Sequence, residues 1–314
     1  MNARAFILRF RAPLRELPRS TSLYGHLAWA MRWRHGEEGL EAFLRDFEQD
    51  RPPFLLSSAF PVARRGDDPS LLLPRPKLPP TLVEDTRKRK ALKQIRYLSL
   101  EQFEAVAEEG EQAVVELLDD PNLEASHGAL LPRGCQIEMA SEQRTRVGIN
   151  RLTGSHEPGV LFSDRVLRIK EAVVYVVSRN ESYGPEWLKN MLSLVGAQGF
   201  GGGKSVGYGT FEVLDMGDVV LPETKTPTAH TLLSPALPPE GRGWYAVEPY
   251  WGRLGEHFAL AANPFKRAYV RAVEGSTFSS PPAPAVLDLT PNPPPADGVR
   301  IREFLIPFTL GVRA

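Results

Sequence analysis

Cysteine is almost absent. Cys135 is the single one among 314 residues, so neither an internal disulfide nor a cysteine-built zinc site can staple this chain. Net charge is absent too, with 38 Lys and Arg against 38 Asp and Glu. That balance removes the uniformly basic signature of many nucleic-acid binders, although it leaves room for local segregation of charge. Lysine is scarce, 9 against 29 Arg. A GC-rich or heat-adapted source accounts for such a bias, and so does a need for planar guanidinium groups that grip phosphate or stack on bases. Long apolar runs are missing: Ala172 to Val177 is the longest internal one, far short of the ~20 residues of a membrane helix. Residues 1–11 alternate instead of forming a signal-peptide core, so a cytoplasmic protein without a membrane anchor is expected. The length suits about two ordinary domains.

Periodicity organises what is there. Phe6, Leu8 and Phe10 alternate with Ile7, Arg9 and Arg11, the period of a strand, and Leu23, Leu27, Ala30 and Met31 recur as on one helical face behind the cap candidates Ser20 and Thr21. A further helix is expected over 37–47, a strand over 54–61, helices over 99–107 and 111–118, a central strand within 167–179, a helix over 185–195 opened by Pro185, and a strand over 209–215. Strand, helix, strand, strand, helix, strand is the order of a ferredoxin-like unit. After residue 220 the pattern is mostly strands, at 230–233, 244–251, 268–273 and 299–310, so a second, strand-rich domain is expected there. Seven prolines in 281–295 predict an exposed extended loop. Six of the ten residues 87–96 are basic, which reads either as a solvated surface or as a contact for RNA or an acidic partner.

The densest signal is Gly199-Phe200-Gly201-Gly202-Gly203-Lys204-Ser205-Val206-Gly207-Tyr208-Gly209, six glycines in eleven residues. Glycine permits positive φ and close backbone approach, so successive N–H groups can cradle an anion, with Lys204 and Ser205 adding a charge and a hydroxyl. A nucleotide-binding P-loop is excluded: the glycine required five residues before Gly203 is Gln198, and the segment follows a predicted helix and precedes a predicted strand, the reverse of the required context. RNA phosphates are the better anion, with Phe200 and Tyr208 placed to stack on bases. A tight helix-to-strand connection with packed aromatics is the alternative.

A glycine-rich loop between the last helix and last strand of a ferredoxin-like unit resembles the signature of the RAMP proteins of CRISPR systems. Ser22 to Leu27, Leu56 to Pro61, Leu73 to Pro76, Asn150 to Gly154 and Glu274 to Phe278 are, in that order, similar to segments of the fourth-subunit family of type III-A (Csm) effector complexes. The resemblance implies an α+β fold of two ferredoxin-like (RRM-like) domains, here 1–219 and 220–314, with a β-hairpin thumb. It also implies a non-catalytic subunit that holds the 5′ repeat-derived handle of CRISPR RNA, contacts the large polymerase-like subunit and the repeated backbone subunit, and meets target RNA near the thumb. RNP-type aromatic motifs are missing, so stacking on the sheet face is not expected.

Arg144, Arg146, Asn150 and Arg151 surround a predicted hairpin turn near 154–159. Arg144 and Arg146, two apart on a strand, share a face. They would meet phosphates or splayed bases if this is the thumb, or solubilise an exposed hairpin if it is not. Some RAMP relatives cleave RNA without metal through a first-helix histidine, which makes His26, beside Tyr24 and with Lys204 as partner, the candidate of an endoribonuclease reading. A structural role for His26 is the competing reading, and a type III-B subunit is a third alternative. The RNA-binding candidates are therefore Gly201, Gly202, Gly203, Lys204, Ser205, Tyr208, Arg144, Arg146, Asn150, Arg151 and His26. The six histidines show no metal-ligand spacing, and no catalytic residue, metal or cofactor is assigned.

Overall fold

Phe6, Ile7 and Leu8 are all fully buried in the strand β1 (Asn2–Phe10), which has neighbours on both edges and apolar cover on both faces. In the computed structural model, which describes residues 1–48, 51–150 and 152–314, β1 leads into α1 (Ser20–Phe47). Leu23, Leu27, Ala30 and Phe43 of α1 line the core. The two helices expected here form one helix with a kink at Gly36, whose φ of +71° suits a residue without a Cβ. The expected strand over 54–61 is divided into β2 (Phe54–Leu56) and β3 (Phe60–Arg65) by Ser57, Ser58 and Ala59, and the Ser57 Oγ accepts the Tyr175 N–H at 2.9 Å.

β4 (Asp68–Pro74) is followed by α2 (Thr86–Gln94), which carries most of the basic run and is capped by the Asp85 carboxylate. Next come β5 (Tyr97–Ser99), α3 (Leu100–Glu109) behind a Ser99/Gln102 capping box, α4 (Glu111–Leu117), β6 (Leu123–Ser126) and β7 (Ala129–Pro132). β8 (Met139–Ile149) and β9 (His156–Ile169) form a separate two-stranded ribbon. Its turn falls at 150–155 instead of 154–159, closed by hydrogen bonds from the Asn150 N–H to the Ser155 carbonyl and from the Gly154 N–H to the Asn150 carbonyl, both 2.9 Å. β10 (Glu171–Ser178), α5 (Pro185–Gln198) and β11 (Phe211–Val220) complete this half. The main sheet runs β11-β1-β10-β3-β4-β5-β7-β6, with β2 also beside β10.

Residues beyond 220 are built from β12 (Ala229–Leu232), β13 (Gly243–Trp244), β14 (Val247–Tyr250), β15 (Tyr269–Ala272), β16 (Thr277–Phe278), β17 (Ala285–Asp288), β18 (Arg302–Leu305) and β19 (Thr309–Val312). β13-β16-β12-β19 form one sheet, while β14–β15 and β17–β18 are separate pairs. Among the described residues of this segment the one helical turn is 3₁₀, Glu256–Leu260. A ferredoxin-like unit needs two crossover helices, so the expected second one is not formed. The sequence there supplies prolines and strand periodicity but no long run of helical period. The proline-rich stretch is likewise not all loop, because β17 lies within it and pairs with β18. Phe304, Ile306, Phe308, Leu310 and Val312 are buried in the same apolar core as β1 and α1.

Candidate nucleic-acid interface

The glycine loop joins α5 to β11, and the glycines at 199, 201, 203, 207 and 209 all take positive φ. At three of them space also excludes a side chain: a Cβ on Gly209 would lie 2.1 Å from the Phe200 carbonyl oxygen, one on Gly199 2.7 Å from the Tyr208 carbonyl oxygen, and one on Gly203 2.8 Å from the Tyr208 ring. The Phe200 N–H donates to the Gly209 carbonyl at 3.0 Å and the Gly209 N–H to the Pro13 carbonyl at 2.9 Å, so the loop is closed on itself and tied to the β1–α1 connection. Its tip, Ser205 to Gly207, is exposed, as is Gly202.

His26 on the first turns of α1 lies beneath this loop. Its Nε2 accepts the Gly201 N–H at 3.2 Å, and its ring centroid is 4.7 Å from that of Phe200. An accepting Nε2 places the proton of the neutral imidazole on Nδ1. Burial, then the Lys204 and Lys266 ammonium groups, push its pKa down to about 4. Lys204 is not the isolated charge its neutral neighbours in sequence suggested: it is paired with Glu256 and sits 5.5 Å from the Trp33 ring centroid.

Arg144 and Arg146 share the face of β8 that looks onto Tyr208, their guanidinium carbons 5.9 and 4.8 Å from its ring centroid. Arg146 donates to the Tyr208 hydroxyl and approaches Asp164 at 3.5 Å, and Arg15 reaches the same buried carboxylate at 3.4 Å. Ribbon, glycine loop and β1–α1 connection are thus pinned together around Asp164. The rings of Phe200 and Tyr208 are each only 4 % exposed. The expected stacking of these rings on bases is therefore displaced by packing, since His26 covers the first and Arg146 with Gly203 covers the second. Asn150 shapes the ribbon turn, its side chain accepting the Leu152 N–H at 2.9 Å and the Thr153 N–H at 3.3 Å. It lies six residues beyond Arg144, about 20 Å of strand rise, so it is not part of the loop cluster. Arg151 lies outside the described residues.

Fold and sequence meet at this loop. A sequence model of the RAMP superfamily matches residues 19–212, more than half of the chain, ending just past the glycine loop. The chain belongs to the RAMP superfamily. This RAMP protein is similar over its whole length to solved structures. It matches a chain of the crystal structure of a Csm1-Csm4 cassette in complex with pppApA at a TM-score of 0.63 and 20 % identity, covering 99 % of this chain and 98 % of that one. The cassette in complex with cA4 gives 0.62 at 20 % identity, with 99 % and 98 % covered. A chain of the Csm3-Csm4 subcomplex of the type III-A CRISPR-Cas interference complex gives 0.59 at 15 % identity, with 99 % and 100 % covered. At these identities the likeness is one of fold. No curated protein matches by sequence.

Arg15, Trp33, Asp164 and Glu256 belong to the cluster but were missed in the sequence. Asp164 was within reach of a register argument, because it stands directly opposite Arg144 in the β8–β9 ribbon. Glu256 and Trp33 come from distant stretches with no local mark. Among the described residues no group of three or more His, Cys, Asp or Glu could hold a metal ion, and no helix is long and apolar enough to cross a membrane.

Proposed function

We propose that this RAMP protein is a non-catalytic RNA-binding scaffold subunit of a type III-A CRISPR interference complex. In this reading the glycine loop and the β8–β9 ribbon hold the 5′ repeat-derived handle of the CRISPR RNA, the ribbon acting as the thumb near target RNA. Other surfaces dock the large polymerase-like subunit and the repeated backbone subunit. Residues 1–219 form a ferredoxin-like RAMP unit and 220–314 a strand-rich second unit that packs onto the same core.

The observation that carries the reading is full-length fold agreement with chains of Csm1-Csm4 and Csm3-Csm4 assemblies, together with RAMP membership. The β11-β1-β10-β3 order supports the first domain, since it sets the first strand between the last two as a ferredoxin-like unit does. The non-catalytic part is supported by His26: its Nε2 lone pair is taken by the Gly201 N–H, and the burial that lowers its pKa to about 4 makes the imidazole a weak base as well as a poor source of protons at pH 7.

Purification of the tagged chain from its source with sequencing of the bound small RNA tests the assignment. A recurring 5′ tag and co-purifying large and backbone subunits are expected, and random RNA fragments would overturn it. Incubation with repeat RNA in EDTA tests the enzyme reading, and cleavage abolished by His26→Ala would replace the scaffold. For the site, Lys204→Ala should weaken RNA binding and lower the salt slope by about one unit. Glu256→Gln, which frees the Lys204 ammonium, should strengthen binding. An unchanged affinity across salt concentrations in both variants removes Lys204 from the interface.

A further inference from the structure

A second concave region shares no lining residue with the glycine loop. It is a cleft of about 560 Å³ between the β1–α1 connection, the segments around β4 and β5, and the Val273-Glu274 stretch. That volume lies within the roughly 300–1,000 Å³ of small-molecule sites. Its walls join three of the short segments singled out in the sequence: Ser58 to Phe60, Pro74 to Pro76, and Glu274. Here Ser58 donates to Glu274, the Lys77 N–H donates to the Gly275 carbonyl at 2.7 Å, and Arg19 reaches Glu274 at 3.3 Å.

Charge in the cleft is not balanced: five cations, Arg19, Arg75, Lys77, Lys93 and Arg96, line it with three carboxylates, Glu16, Glu111 and Glu274. Arg75 is paired with Glu111 and Arg19 with Glu274. Lys77, Lys93 and Arg96 also line it, and among the described residues none of the three forms an ion pair with a carboxylate. The Lys77 ammonium, half-buried, donates to the Glu274 carbonyl at 3.2 Å, which leaves two of its three donors available. Burial lowers its pKa, with Arg75 adding to the effect against the pull of Glu274. Two of the four buried side-chain polar atoms that lack a partner among the described residues, Arg75 Nε and Glu111 Oε2, belong to cleft-lining residues. Beside these cations the lining is apolar and aromatic: Phe60, Leu78, Ile95 and the Tyr97 ring, over which Arg96 lies at 5.8 Å.

We propose that this cleft is a nucleotide subsite, taking one ribonucleotide with its phosphate on Lys77, Lys93 and Arg96 and its base against Tyr97 and the apolar wall. Cations without carboxylate partners suit a phosphate, and a partly apolar chamber beside them suits a base. An acidic peptide would use the cations and leave the apolar wall unused. The inference rests on the RNA-binding reading in one respect: the nucleotide is one splayed out from a bound strand, the form in which single-stranded RNA exposes its base edges.

Titration of the full chain with each of the four ribonucleoside 5′-monophosphates, by calorimetry or saturation-transfer NMR, tests it directly. Binding is expected for at least one, weakened roughly ten- to hundredfold by Lys93→Glu with Arg96→Glu, as loss of charge-assisted hydrogen bonds implies. Both side chains are exposed, so the thermal midpoint should hold. Inorganic phosphate binding as tightly as every monophosphate would overturn the base site, and so would binding of polyglutamate with no monophosphate binding. Strand binding is measured in parallel. Single-stranded RNA bound equally by wild type and by Lys93→Glu/Arg96→Glu sinks the cleft and leaves the RNA-binding reading intact. Monophosphates bound with no strand binding sinks that reading and the splayed-strand origin of the nucleotide, leaving a mononucleotide site.

Discussion

The arginine surplus resolves into particular partners. Arg4 is bidentate on Asp215, its Nε and Nη2 each donating at 2.7 Å. Arg9 and Arg64 share the buried Glu171 at 2.9 and 2.6 Å; burial alone would raise that carboxyl, yet the two guanidinium hydrogen bonds hold it below its usual value. Arg271, 1 % exposed, is bonded to Glu248 and Thr21 and lies 3.7 Å from the Tyr250 ring centroid. Many guanidinium groups are therefore internal braces, which is what a planar fork does better than an ammonium. His26 makes a sharper case. Its folded pKa of about 4 lies below the 6.5 of an unperturbed histidine, so between these values the unfolded chain binds a proton that the folded chain does not. Stability is then complete above about pH 6.5 and is lost as pH falls toward 4, by up to ~1.4 kcal/mol per pH unit. In urea titrations at pH 7 and pH 5, the wild type should lose about 2 kcal/mol more than His26→Gln. Equal losses would show that the imidazole protonates freely in the fold.

The glycine loop behaves as an element with its own geometry. Its positive-φ glycines divide into those that face open space and those pressed against backbone. Gly207, at φ +84°, has nothing within 4 Å of an added Cβ, whereas Gly209, at φ +72°, would collide with Phe200. Gly207→Ala should cost about 1–2 kcal/mol, the penalty of a left-handed conformation. Gly209→Ala adds overpacking and should cost about 3 kcal/mol or more. Denaturant unfolding of the two variants measures the difference, and equal costs would mean that the loop rearranges around Gly209. The loop is thus a tight helix-to-strand connection at its base with an exposed tip.

Taken as a whole, the molecule is held together by a core that crosses the expected domain boundary. Phe304 of β18 lies with its ring centroid 5.6 Å from that of Tyr24 and 5.3 Å from that of Phe47, both on α1. Removing residues 220–314 would strip apolar cover from α1 and open a cavity lined by Tyr24, Phe43 and Phe47. Residues 1–219 produced alone should lack a cooperative thermal transition by circular dichroism, because the lost burial is a large fraction of a net stability of only ~5–15 kcal/mol. A sharp transition in that fragment would show an independent domain.

Alternation in β1, the helical period of α1 and α5, Pro185 and the six clustered glycines act locally, so the sequence by itself determined β1, α1, β10, α5 and β11 in their order, the place of the glycine loop and the shared face of Arg144 and Arg146. Three-dimensional neighbours decided the rest. That Tyr208 packs under Arg146, that Lys204 is claimed by Glu256, and that β18 and β19 complete the first half's core are contacts between segments 50 to 280 residues apart. No period or spacing encodes such pairs, because burial and ion pairing depend on distance in space and only the packed chain sets that distance.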